Sequence, residues 1–142
     1  MSYRSDETML PNKFDILDRM VRQGDVLLYP IDAIPADAFQ VDNPIVAFGE
    51  KSGHKHQLHG QVQVFQTLEK KPMRTLDMKQ VLTDHFVRVV ESTITNPAEL
   101  VHENKQGKKA DHEAKQLKVG DYMVVREEEF SPFEEQIRRV ED

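Results

Sequence analysis

Short apolar runs cut off by glycine and proline constrain this chain more than any other feature of its sequence. Asp25, Val26, Leu27, Leu28 and Tyr29 lie between Gly24 and Pro30, and residues 45–48 follow Pro44 and end at Gly49. Runs this short, bounded by turn residues, fit strands better than helices. The same reasoning predicts strands over 54–58, 86–91, 98–103, 112–119 and 122–126. An alternating strand after Gly60 puts Val62, Val64 and Gln66 on one side, and a short strand is expected near 39–41. Residues 67–82, with Pro72 and several lysines, read as an irregular excursion or a short helix.

Two stretches carry a helical period instead. Phe14, Leu17 and Val21 fall at i, i+3 and i+7, with Ile16 and Met20 widening the stripe. Asn12 is placed to cap this helix, Asp15 suits its first turn, and Gly24 is expected to stop it. At the other end, Ser131, Pro132 and Glu134 form a capping box, Phe133, Ile137 and Val140 make an apolar stripe, and Arg138 and Arg139 suit the C-terminal dipole. The expected fold class is therefore mainly β: a small antiparallel β-barrel or sandwich with short N- and C-terminal helices. The expected division is an N-terminal arm and helix over 1–24, a β domain over 25–130 and a C-terminal helix over 131–142.

Composition narrows the function classes. A chain of 142 residues is most simply one domain. Its formal charge of −6 argues against nucleic acid as the main partner, because phosphate binding needs clustered cations. No apolar run approaches the length of a membrane span, and the first residues lack the apolar core of a signal peptide, so a cytoplasmic setting is expected. With no cysteine, disulfides and thiolate ligands are excluded, and any metal must be held by His, Asp, Glu or backbone. There is no Gly-x-Ser-x-Gly turn, no phosphate-binding glycine loop and no aromatic platform interleaved with basic residues.

The histidines carry the remaining chemistry. His54 and His56, one residue apart in an extended strand, face the same way. Residues 98–103 and 112–119 flank a polar segment with turn residues, which predicts a hairpin with its tip near Gly107. A three-residue loop there sets His102 opposite His112, and a two-residue loop shifts the register by one. His54, His56, His102 and His112 are thus the candidate ligands of a divalent transition metal such as Zn, Fe, Ni or Mn. Glu103 and Glu113 are candidate further ligands or acceptors that orient the imidazoles. His59 should face away from His56, and His85 stands apart. Short motifs of this kind also occur as surface or core histidines with no ligand.

Gly53-His54-x-His56 after an apolar strand resembles the first metal-binding motif of the cupin superfamily. His102 followed by Leu117-x-x-Gly120-x-Tyr122 resembles the second half of a small cupin-like barrel. The resemblance implies a jelly-roll barrel in which His54, His56 and one later histidine converge. The cupin glutamate after the His pair is missing, since residues 57–61 are Gln, Leu, His, Gly and Gln, and so is the proline-x-glycine step before the last histidine. That points to a structural or regulatory site rather than a catalytic one. Residues 23–142 also resemble a family of small bacterial and phage-encoded proteins. The features are Gln23-Gly24-Asp25-Val26-Leu27, Gly49-Glu50-x-x-Gly53-His54-x-His56, the His102 and His112 pair, Val124-x-Arg126-x-x-x-Phe130-x-Pro132 and Arg139-Val140-x-Asp142. This implies a phage or prophage context, in a bacterial or infected cell. The expectation is a non-catalytic cupin-like protein with a His-rich metal site. The alternatives are a virion structural or decoration subunit, or homo-oligomer, whose helices bind neighbouring copies, and a metal-dependent cupin enzyme acting on a small molecule.

Overall fold

The computed structural model describes residues 10–48, 55–103 and 114–126. Their short apolar runs form antiparallel strands in two sheets. The larger contains β1 (Val21–Gln23), β2 (Val26–Ile31), β3 (Phe39–Val41), β6 (Gln61–Arg74), β7 (Gln80–Glu91) and β10 (Gly120–Arg126), in the order β1-β2-β10-β7-β6-β3. The smaller is β4 (Ile45–Phe48), β5 (Lys55–His59), β8 (Ala98–Glu103) and β9 (Lys115–Leu117), in the order β4-β5-β8-β9. The protein is mainly β. Among the described residues no sheet closes on itself, so the architecture is the sandwich rather than the barrel.

Why β2 is apolar at every position follows from the layers. Val26 and Leu28 join Leu58, Leu100, Val87 and Tyr122 in a core between the two sheets. Leu27, Tyr29 and Ile31 point the other way, into a second core with Phe86, Met123, Val125 and Ile16. A strand buried on both faces loses the alternation of a one-sided sheet.

Ile16 belongs to α1 (Lys13–Arg19), which covers that second core. Asn12 caps it as expected, its side-chain oxygen accepting from the Asp15 N–H at 2.9 Å. The expected stripe is corrected. Phe14 is 80% exposed and Leu17 57%, and only Ile16 is buried in the helix. Two turns of helix leave room for one residue to reach the sheet. Met20 is already extended, and Val21 starts β1 rather than extending a helical face. Gly24, with φ +61°, turns β1 into β2 instead of ending the helix.

Residues 67–82 are a second correction: they form neither an excursion nor a helix. β6 and β7 are a long hairpin with an irregularity between Gln66 and Lys71, and Pro72 sits opposite Leu82 just beyond it. Met73 and Val81 bury into the second core while the neighbouring Pro72 is exposed, so the proline and lysines obscured a strand that is paired along this length. The expected helix over 131–142 lies outside the described residues. No helix among the described residues is long and apolar enough to cross a membrane.

Candidate functional site

β5 is the central piece of the site, paired to β4 on one side and β8 on the other. In this register His56 stands directly opposite His102, with Leu58 opposite Leu100. Leu58 and Leu100 belong to the core between the sheets, and the strand alternation turns both histidines to the same side. His56 is 1% exposed and His102 7%. Their rings stack with centroids 4.5 Å apart and 26° between planes.

Gln23 joins the two sheets at this point. It is fully buried on β1, and its Nε2 donates to the Leu100 carbonyl of β8 at 2.9 Å. That bond fixes the amide, so Oε1 is left to accept from Nδ1–H of His56, also at 2.9 Å. With Nδ1 as donor, the opposite ring atom, Nε2, carries either a lone pair or a second proton. It faces Asp25, whose Oδ1 is 3.6 Å away, and Oδ2 of the same carboxylate lies 3.7 Å from Nη2 of Arg126. Gly24 makes this possible: a two-residue turn with φ +61° at its first central position brings Gln23 and Asp25 to one end of the sandwich. Arg126 arrives from β10, directly opposite Val26.

Of the four histidines singled out by sequence, the structure brings His56 and His102 together. His54 and His112 lie outside the described residues, as do Glu113 and the pairing of His102 with His112. Glu103 does not orient His102. Its carboxylate lies 3.9 Å from Lys55 and 3.6 Å from His59, both on the outer face of β5. His59 thus faces away from His56, and its Nε2 is 3.0 Å from the Gln57 amide. His85 is 2.8 Å from Asp84, the residue next to it in the chain. Sequence reasoning missed Gln23, Asp25 and Arg126 as site residues. The signal was present in Gln23-Gly24-Asp25, whose Gln23 and Asp25 side chains meet His56, and in Val124-x-Arg126, whose Arg126 meets Asp25.

Two kinds of chemistry are open to this arrangement. Near-parallel imidazoles run their in-plane lone pairs alongside one another, so in this stack His56 and His102 do not converge on one ion. His56 Nε2 and Asp25 Oδ1 do face each other, at a separation that bonds of about 2.0–2.2 Å each can bridge. A ring held through its other N–H by a fixed acceptor is how proteins orient a metal-ligating histidine. Among the described residues no group of three or more His, Asp or Glu side chains could hold a metal ion.

The family described as Domain of unknown function (DUF8820) matches residues 22–127, and the chain belongs to it. The matched span contains Gln23, Asp25, His56, His102 and Arg126. No curated protein and no solved structure matches the chain.

Proposed function

We propose that this member of the DUF8820 family is a non-catalytic β-sandwich that binds a divalent transition metal at the Asp25–His56 end of its two sheets. The observation that carries the reading is the hydrogen bond from His56 Nδ1–H to Gln23, which turns Nε2 toward the Asp25 carboxylate. His54 and His112, which lie outside the described residues, are proposed as the remaining imidazole ligands. His102 backs the His56 ring and holds its orientation. The metal joins residues of the β1–β2 turn to the smaller sheet, adding a cross-link to the one Gln23 already makes. It releases protons when it binds, because imidazole ligates in the neutral form. The phage or prophage setting rests on the sequence resemblance alone.

The test is metal content per chain after purification in metal-supplemented medium, for wild type and for the His54→Ala, His56→Ala double variant. The reading expects close to one ion per chain in wild type, loss of it in the variant, and a lower melting temperature of wild type in chelator. A metal-free wild type whose melting temperature ignores chelator overturns it. The alternative, a virion or homo-oligomer subunit, is favoured by a different observation, the outward-facing Phe14 and Leu17 of α1.

A further inference from the structure

On the face of the larger sheet away from the histidines lies a groove of about 410 Å³. Ile16, Leu17 and Met20 of α1 form one wall, Leu27 and Tyr29 of β2 the floor, and Leu76 of the β6–β7 turn the far wall. The tip that closes it is anchored by the Leu76 N–H, which donates to the Tyr29 hydroxyl at 2.6 Å. Leu17, Met20 and Leu76 are all exposed here, on a surface otherwise rich in charge. A contiguous apolar groove of this kind is costly to leave in water.

The chain itself carries a segment suited to it. β10 ends at Arg126, which pairs with Val26. The next residue of β2 is Leu27, in the floor of the groove, and its β1 partner Arg22 stands at the rim. The sequence after Arg126 therefore starts one residue away from the groove. Phe133, Ile137 and Val140 follow at i, i+4 and i+7, the spacing of a single apolar helix face. A helix this short is marginal in water and needs a surface to pack on. The six residues 127–132 reach about 20 Å when extended, ample to bring Phe133 over Leu27 and Tyr29. Arg138 and Arg139 complement Asp77 on the groove wall, whose carboxyl the Thr75 hydroxyl holds below the usual range.

We propose that residues 131–142 pack their Phe133, Ile137 and Val140 stripe into the groove between α1 and the β6–β7 turn of the same chain. The occupant is this chain's own C-terminal segment, and the inference is independent of any metal at His56.

Because the chain has no cysteine, paired substitutions give a direct readout. Leu17→Cys with Ile137→Cys should form an intramolecular disulfide in the full-length monomer at least ten times faster than Ile94→Cys with Ile137→Cys, where Ile94 is exposed on the β7–β8 connection. Equal rates overturn the proposal. So do disulfide-linked dimers as the main product, which would assign the groove to a second copy. In a separate full-length variant, Phe133→Ala with Ile137→Ala should raise binding of an apolar fluorescent dye several-fold while leaving the far-ultraviolet circular dichroism of the strands in place. Unchanged dye binding overturns the proposal as well.

Discussion

The imidazole rings of His56 and His102 stack across β5 and β8, with centroids 4.5 Å apart, in the buried end of the sandwich. Two positive charges at that spacing repel by about 4 kcal/mol at an effective dielectric of 20. The Asp25 carboxylate faces His56 and also meets the Arg126 guanidinium, while Gln23 is neutral. That repulsion opposes charging both rings in the folded protein, whereas in the unfolded chain the two histidines are free of it. The unfolded state then binds more protons, and folding stability drops on acidification. Urea unfolding at pH 7 and pH 5 should show this loss in metal-free wild type, and His102→Leu should reduce it. An equal loss in the variant would remove the stack as its cause.

Gln23 offers a separate test, since its amide bridges the sheets through Leu100 and His56. Gln23→Leu keeps the volume and leaves a buried carbonyl and a buried N–H without this partner. At about 1–3 kcal/mol for each of the two groups, the expected loss is roughly 2–6 kcal/mol. Gln23→Glu preserves the acceptor for His56 but brings a carboxylate to the Leu100 carbonyl, so it should not rescue stability. Chemical denaturation of both variants decides the matter, and a loss below about 1 kcal/mol in Gln23→Leu would show that the bridge is dispensable.

How much of this was legible in the sequence depends on the range of the interaction that sets it. The strands at 26–29, 45–48, 86–91 and 98–103 are signalled by local apolar runs and their punctuation, and they formed. Phe14, Leu17 and Val21 failed because helical spacing alone does not say where a helix stops, and Val21 is fixed by pairing with Leu28. Lys71 and Pro72 hid β6 because their partners, Thr83 and Leu82, lie across a hairpin that no local pattern reveals. For the site, His56 and His102 were visible as residue types, but their stacking is a consequence of the β5–β8 register. Asp25 read as the first residue of the strand after Gly24. Its place beside His56 depends on the sheets packing so that β1 meets β8.

The β6–β7 turn contains the one non-glycine residue with positive φ among those described, Met78 at φ +69°. Its N–H donates to the Thr75 carbonyl at 2.9 Å, so the turn holds the conformation despite a cost of about 1–2 kcal/mol for an L side chain there. Met78 is exposed, and little packing is lost on removing it. Met78→Gly should therefore stabilise the protein by about 0.5–1 kcal/mol, after the entropy of the added glycine is counted. Met78→Ala, which keeps the Cβ, should give no such gain. A denaturant midpoint that moves equally for both variants would place the effect in the side chain rather than the backbone.

Tyr122 connects the core to alkaline stability. Its ring is fully buried between the sheets, its hydroxyl donates to the Lys118 carbonyl at 2.6 Å, and the Arg19 guanidinium lies 5.1 Å from the ring centre. Arg19 can approach because Gly120, at φ +145°, has no side chain to meet its guanidinium. Burial pushes the Tyr122 phenol up, against the opposing hydrogen bond and charge of Arg19. A group whose value is raised by folding contributes stability that is complete below its unfolded value, about 10 for tyrosine, and is lost as pH rises through the folded value. Tyr122→Phe should thus cost about 1 kcal/mol at pH 7, from the lost hydrogen bond. It should also lose less stability than wild type between pH 7 and about pH 11, with Tyr29, likewise raised by burial, supplying the remaining slope. Urea midpoints for both proteins at the two pH values measure this directly. Parallel losses would mean that the Tyr122 hydroxyl titrates alike in the folded and the unfolded chain, so that burial does not raise it.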